Sequence, residues 1–209
     1  MAKMLRNIGE YVSGKIGNVV FVRTKTKSYV RAAPIRKKNN WSEQQLRYRQ
    51  RISKVCKLWR SLKSGQMGQL WNQAAIEMNG FAWFMKLNIQ AFAIDGTLID
   101  PTLILVTDGQ LTAPQKLTAE RVLTDPSTIV VHWQNDPHLK PERLNDALMA
   151  MSYTDGIFSP ITPTGIRRGD LTGTFPFPKP VPFTEPTHLF LFMASSDGLE
   201  YTQSLSFAI

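Results

Sequence analysis

The stretch His188-Leu-Phe-Leu-Phe-Met-Ala194 decides the fold, because it has the alternation of a β-strand and is apolar on both faces. Successive side chains of a strand point to opposite faces of its sheet. One face therefore holds Phe190, Phe192 and Ala194, and the other holds Leu189, Leu191 and Met193. One of these faces is expected to form the core between two sheets. The other needs a cover, which the apolar segment 81–92 or another subunit can supply.

Short β-prone runs surround this stretch in the second half of the chain. They lie at residues 117–123, 128–133, 147–153, 165–175, 187–194 and 201–209, with Pro, Gly, Asp and Asn between them. Such short runs with frequent turn residues are typical of a β-sandwich. The segment 174–186 holds five prolines, and proline lacks the N–H that a central strand needs. We expect that segment to be an extended edge or a connector.

The second half also resembles a fibronectin type III module. Leu111-Thr-Ala-Pro114 leads into the first run, Trp133 ends the second, and a Ser196-Asp-Gly198 turn follows the 188–194 strand. The chain departs from that family at His188, where a tyrosine is usual, and in the long connection 134–146. The resemblance implies a fibronectin/Ig-like sandwich at residues 109–209. It says little about function.

The first half, residues 1–108, predicts a β-hairpin followed by helices. β-forming residues at 16–33 flank a polar turn, and the residues at 41–63 have the periodicity of a helix with a capping box at its start. Further helices are expected at 66–78 and 81–93, with a short strand at 103–106. The apolar face expected for the first helix consists of Tyr48, Ile52, Val55, Cys56, Trp59 and Leu62. The predicted fold class is therefore α+β, with the helices packed on the sandwich.

The order of the whole chain resembles an uncharacterised family of basic proteins from Bacteroidota bacteria and their phages or mobile elements. The residues that carry this resemblance are Gly14 to Phe21, Tyr29 to Arg31 with Pro34, the helix start at 42–45, and the segment 72–88. It implies an architecture and no activity.

Positive charge is concentrated near the N-terminus. Residues 1–63 carry 17 Lys and Arg against 2 acidic residues, a net charge of +15, whereas the whole chain carries +9. Lys and Arg bind phosphates and release counterions, and exposed aromatic residues such as Tyr29, Trp41 and Tyr48 can stack on unpaired bases. The candidate nucleic-acid-binding residues are Arg23, Lys25, Lys27, Arg31, Arg36, Lys37, Lys38, Arg47, Arg51, Lys54 and Lys57.

Two other interpretations of this charge stay open at this point. The basic surface can bind an acidic protein in an assembly, or it can be a solvated face that contacts nothing. The aromatic residues can equally belong to the core, since Tyr48 fits the apolar face of its helix. Because no known nucleic-acid-binding motif is present, nucleic-acid contacts should be directed at the backbone and weakly sequence-specific.

Residues for catalysis or metal binding are scarce. The chain has one cysteine, Cys56, and three histidines, His132, His138 and His188, none of which is spaced as part of a metal set. We therefore expect a non-enzymatic protein without a cofactor. Residues 1–10 lack the apolar core of a signal peptide, and no stretch approaches the roughly 18 apolar residues that cross a bilayer. The expected location is the cytoplasm, or the virion if a phage encodes the chain.

Overall fold

A computed structural model of the chain describes residues 13–24, 27–35, 41–63, 67–154, 157–178 and 188–209. These residues belong to a mixed α+β protein whose C-terminal half is rich in β-strands. The chain divides into two units, Met1–Ser42 and Glu43–Ile209, which are described separately. The predicted division into domains at 1–108 and 109–209 is not tested by this division into units.

The first unit contains a three-stranded antiparallel sheet. Its strands are β1 (Gly14–Ile16), β2 (Val19–Arg23) and β3 (Ser28–Ala32), in the order β1-β2-β3. The predicted hairpin corresponds to β2 and β3, and β1 adds a third strand before it. Gly17 permits the tight connection from β1 to β2, because its φ of +58° is unfavourable for a side chain with a Cβ.

Three helices begin the second unit. They are α1 (Glu43–Leu62), α2 (Met67–Ala74) and α3 (Gly80–Asn88), followed by single 3₁₀ turns at Ile89–Ala91 and Pro101–Leu103. The α2 helix ends four residues before the predicted position. The chain reverses direction there, with Glu77 at a φ of +62°. Asn79 then caps α3 by accepting a hydrogen bond of 2.8 Å from the Ala82 amide.

The Gly80→Ala substitution should destabilise the fold, because Gly80 touches the backbone of α2. A Cβ at this position would lie 2.6 Å from the Trp71 carbonyl carbon and 2.6 Å from the Asn72 nitrogen. We expect a loss of about 1–3 kcal/mol in the free energy of unfolding, measured by urea denaturation. Gly68→Ala is the matched control, because its nearest contact would be the Lys63 oxygen at 3.8 Å. A Gly80→Ala protein as stable as Gly68→Ala would contradict this packing.

The strand predicted at 103–106 is wrong. Residues 101–103 form a 3₁₀ turn. The backbone after this turn makes hydrogen bonds to side chains and not to a neighbouring strand. The Leu105 amide donates to Asn88 Oδ1 at 2.8 Å, and the Val106 amide donates to Ser204 Oγ at 3.0 Å. The buried Trp71 indole donates to the Val106 carbonyl at 3.0 Å. This segment therefore ties the helices to the C-terminus of the chain.

The remaining strands form two antiparallel sheets. The strands are β4 (Gln115–Val122), β5 (Asp125–Gln134), β6 (Ala147–Thr154), β7 (Ile157–Phe158), β8 (Thr162–Arg167), β9 (Thr172–Pro176), β10 (His188–Ala194) and β11 (Leu205–Ala208). One sheet has the order β11-β10-β6-β7, with β8 also paired to β6. The other has the order β4-β5-β9.

Most predicted runs coincide with these strands, and one does not. The run at 165–175 is split into β8 and β9 by the 3₁₀ turn Arg168–Asp170, after which Leu171 adopts a left-handed φ of +60°. The two strands therefore lie in different sheets. In the proline-rich segment, β9 ends at Pro176, and residues 179–187 lie outside the described part of the chain.

Strand β10 lies between two hydrophobic clusters, as its sequence predicts. Leu189, Leu191 and Met193 pack with Trp133 and other residues of the facing sheet. The side chains of Phe190 and Phe192 pack with residues of α1, α2 and α3. The cover expected for the second apolar face is thus supplied by the helices of the same chain.

Candidate nucleic-acid interface

One face of the β1–β3 sheet carries two cations and Tyr29 beside Val20 and Val22, and the other face is mostly apolar. Because Lys15 pairs with Val20 and Val20 pairs with Arg31, the two cations share one face. Tyr29, whose partner is Val22, lies on the same face and is 50% exposed. The opposite face carries Ile16, Val19, Phe21, Val30 and Ala32.

Only some of the predicted basic residues of the first unit lie on this cationic face. Arg31 does, whereas Arg23 pairs with Ser28 at the strand ends on the opposite face. Lys27 is exposed in the turn, where its carbonyl accepts from the Thr24 amide at 2.8 Å. Lys25, Arg36, Lys37 and Lys38 lie outside the described residues. Lys15 was not among the predicted residues, although its alternation with Ile16 was a signal that could have found it.

The first half of α1 is exposed around its circumference. All residues from 43 to 50 are exposed, and only Val55, Leu58 and Leu62 of the helix are buried. The prediction that Tyr48 and Ile52 belong to the core is therefore wrong, since they are 44% and 45% exposed. The apolar periodicity continues toward the helix start, but the core reaches only the second half of the helix. Trp41, just before α1, is 40% exposed.

Arg51 differs from the other predicted cations of α1. Its position, four residues before Val55, places it on the core side of the helix, and its Nε donates to the Ile89 carbonyl at 3.0 Å. Arg51, one of the candidate nucleic-acid-binding residues, therefore joins α1 to the end of α3. Arg47, Lys54 and Lys57 are exposed on the flank of the helix.

A groove of about 540 Å³ runs beside this flank. It is lined by Lys54, Lys57 and Ser61 of α1 and by the turn at residues 95–97. The apolar and aromatic lining consists of Leu58, Phe92, Leu98 and Tyr153. Sequence analysis missed Ser61, although its spacing of four residues from Lys57 places both on one helix face.

The turn at residues 95–97 contributes one carboxylate to the groove. Asp95 Oδ1 accepts a hydrogen bond of 2.9 Å from the Thr97 amide. This bond, together with the charge of Arg47, lowers the pKa of Asp95 below its ordinary value. Gly96 brings this turn close to α1, because a Cβ there would lie 2.9 Å from Lys54 Cγ. The groove is thus lined by two ammonium groups, one carboxylate and an apolar surface.

A second cluster of charged side chains, around Arg168, is buried in the fold. Arg168 is fully buried, 3.6 Å from the Asp146 carboxylate, and it donates to the Thr112 carbonyl at 2.7 Å and to Asn135 Oδ1 at 3.3 Å. Burial raises the pKa of Asp146 and lowers the pKa of Arg168. Arg143 hydrogen-bonds Glu200 beside them. Since the guanidinium of Arg168 is bonded to the chain on several sides, this cluster is structural.

The three histidines are far apart in the sheets and loops. His132 Nδ1 lies 2.8 Å from Thr172 Oγ1, and His138 is exposed in a loop. Burial lowers the pKa of His188, which packs near Tyr153. Within the part of the chain that the structure describes, no three His, Cys, Asp or Glu side chains are grouped so that they could hold a metal ion. Among the described residues no helix is long and apolar enough to cross a membrane.

Comparison with known proteins identifies a family match over most of the chain. The model of a family of unknown function, DUF6266, matches residues 11–207. This match includes the β1–β3 sheet, the groove and the described strands of both later sheets except the last residue of β11. It confirms the expectation of an uncharacterised family. No curated protein matches the chain.

Proposed function

This chain belongs to DUF6266, a family of unknown function, and we propose from its surface chemistry that it binds nucleic acid without catalysis. The observation that carries the proposal is the charge of the described residues between 13 and 63. They hold eleven Lys and Arg side chains and a single acidic one, Glu43. Such a surface attracts a polyanion and releases its counterions on binding.

The exposed aromatic side chains favour nucleic acid as the ligand over polyanions that have no bases. Tyr29 is exposed on the sheet face of Lys15 and Arg31, and Tyr48 is exposed on α1. Trp41, just before α1, is exposed as well, and exposed rings can stack on unpaired bases. Lys15 and Arg31 share the face of Tyr29, and Arg47, Lys54 and Lys57 share the flank of α1. Since these cations lie on regular elements without a base-reading motif, we propose contacts to the phosphate backbone with weak sequence preference.

We further propose that the two C-terminal sheets form a fibronectin-type sandwich that serves as a scaffold. The buried Trp133 and the core shared by β5, β6, β9 and β10 support this proposal. The scaffold holds α1 through the helix-covered face of β10. In this proposal the protein acts in the cytoplasm, or in a virion if a phage encodes it.

Charge reversal tests the proposed function. We expect Lys15→Glu/Arg31→Glu and, separately, Lys54→Glu/Lys57→Glu to weaken binding to a labelled oligonucleotide by about tenfold or more at low salt. Arg51 is left intact, because its replacement would disturb the contact with Ile89. Fluorescence anisotropy measures the affinity.

Lys116→Glu/Lys140→Glu is the matched control for charge reversal. It makes the same change in net charge at two exposed lysines of the C-terminal half. Equal losses in all three double variants would mean that only net charge matters. Wild-type protein that binds neither a duplex nor a single strand at low salt would exclude the proposed function.

An assembly role is the second candidate, and a specific observation favours it. Ile16 and Val19, on the apolar face of the β1–β3 sheet, are 62% and 37% exposed. None of the described residues of that sheet is fully buried, and a small sheet usually needs a packed face for stability. A partner protein or another copy can supply that packing. Concentration-dependent oligomers in sedimentation without nucleic acid would support this alternative.

A further inference from the structure

The groove beside α1 combines a cationic and an apolar surface. Lys54 and Lys57 place two ammonium groups on its wall, one helical turn apart. Phe92, Leu98 and Tyr153 add apolar and aromatic lining to the same groove. A ligand that matches both surfaces has an anionic part joined to a flat apolar part.

We infer that this groove holds an unpaired base of single-stranded nucleic acid, with the adjoining phosphates against Lys54 and Lys57. This inference rests on the proposed function and specifies the ligand of the same surface. A volume of about 540 Å³ is in the range of pockets that enclose small molecules, which is roughly 300–1,000 Å³. A nucleotide is such a molecule.

A duplex cannot make the same contact. Its bases are stacked and paired inside the helix, so that a duplex offers phosphates to the lysines but no ring to the apolar surface. A single strand can turn a base outward and place it on an aromatic side chain. The single strand therefore uses both surfaces of the groove, whereas the duplex uses one.

The apolar surface is backed by the core, and Tyr153 is its more exposed aromatic ring. The Tyr153 ring packs against Phe158 with 4.8 Å between centroids, and Phe92 is only 6% exposed and belongs to the helix-covered core. Asp95 also lines the groove, where its charge repels phosphate. This repulsion favours a strand whose phosphates lie toward Lys54 and Lys57 and away from Asp95.

A bulky side chain in the groove tests this inference without changing any charge. Ser61 lines the groove and is exposed on α1, so Ser61→Trp should fill the space while both lysines stay in place. We expect it to weaken oligothymidine binding by about tenfold, the loss typical of one stacked base. Ser53→Trp is the matched control, because Ser53 is exposed on the same helix and does not line the groove. It should bind like the wild type.

A second measurement keeps the wild-type protein and changes the ligand. An oligonucleotide with abasic sites retains the phosphates and lacks the bases, so it should bind about tenfold more weakly than oligothymidine. Ser61→Trp should bind this abasic strand as the wild type does. An oligouridine of the same length shows whether RNA or DNA binds more tightly.

The possible outcomes separate the two proposals. The groove inference would be overturned if the wild type bound the abasic strand as tightly as oligothymidine. It would also be overturned if the Ser61→Trp variant bound oligothymidine as tightly as the wild type does. Salt-sensitive binding of duplex and abasic strand would, in those cases, leave the proposed function standing. Absence of binding to every oligonucleotide at low salt would overturn both.

Discussion

Replacing Phe190 with alanine is expected to lower the free energy of unfolding by about 3–5 kcal/mol. Phe190 is completely buried on the face of β10 that the helices cover, and its ring lies 6.0 Å from that of Phe158. Removing the ring leaves a cavity between the sheet and the helices. Urea denaturation followed by circular dichroism measures the loss.

The same experiment tests whether β10 joins the helices and the sheets into one cooperative unit. Leu191→Ala acts on the opposite face of the strand, and we expect a loss of about 2–5 kcal/mol in the same single transition. Leu123→Ala is the surface control, because Leu123 is 93% exposed and should change stability by less than about 0.5 kcal/mol. Two separate transitions in Phe190→Ala, with the helices melting first, would contradict a single unit.

Replacing Arg168 with leucine is expected to cost about 3–5 kcal/mol, because the buried carboxylate of Asp146 loses the guanidinium at 3.6 Å and keeps only that of Arg143 at 3.9 Å. The Thr112 carbonyl also loses its hydrogen bond. Arg167→Leu is the neighbouring control, since Arg167 is exposed. The double variant Arg168→Leu/Asp146→Leu should be more stable than Arg168→Leu, since it removes the buried carboxylate as well.

The pH dependence of the Arg168→Leu variant gives an independent test. Burial already raises the pKa of Asp146, and loss of the guanidinium raises it further. A raised pKa in the folded state means that folding takes up a proton, so stability falls as the pH rises through that pKa. The loss of unfolding free energy in Arg168→Leu, relative to the wild type, should therefore be smaller at about pH 5 than at pH 7. A loss that grows on acidification would show that Asp146 is not the group that loses its partner.

The parts of the fold that follow a strict period could be predicted from the sequence. The two apolar faces of β10 indicated both cores, and the apolar periodicity of α1 fixed its bounds within two residues. The strand at 103–106 could not be predicted correctly, because its backbone bonds to Asn88 and Ser204. These residues are 17 and 98 positions away from their partners, and a local sequence pattern cannot predict such hydrogen bonds.

The candidate site was predicted less completely than the fold. Composition identified the basic region, but it cannot tell which cations a fold uses internally, as Arg51 illustrates with its bond to Ile89. The exposure of Tyr48 depends on how far the core extends along α1. The groove depends on the turn at Gly96, which approaches α1 from a distant part of the sequence. These features arise from tertiary packing.

The salt dependence of single-strand binding by the wild-type protein tests the central claim most directly. If Lys15, Arg31, Lys54 and Lys57 each contact a phosphate, the logarithm of the association constant should fall with the logarithm of salt concentration with a slope of about −3. Anisotropy titrations of labelled oligothymidine from about 50 to 200 mM salt measure this slope. A slope near zero, or no binding at the lowest salt, would contradict nucleic-acid binding by the basic surface.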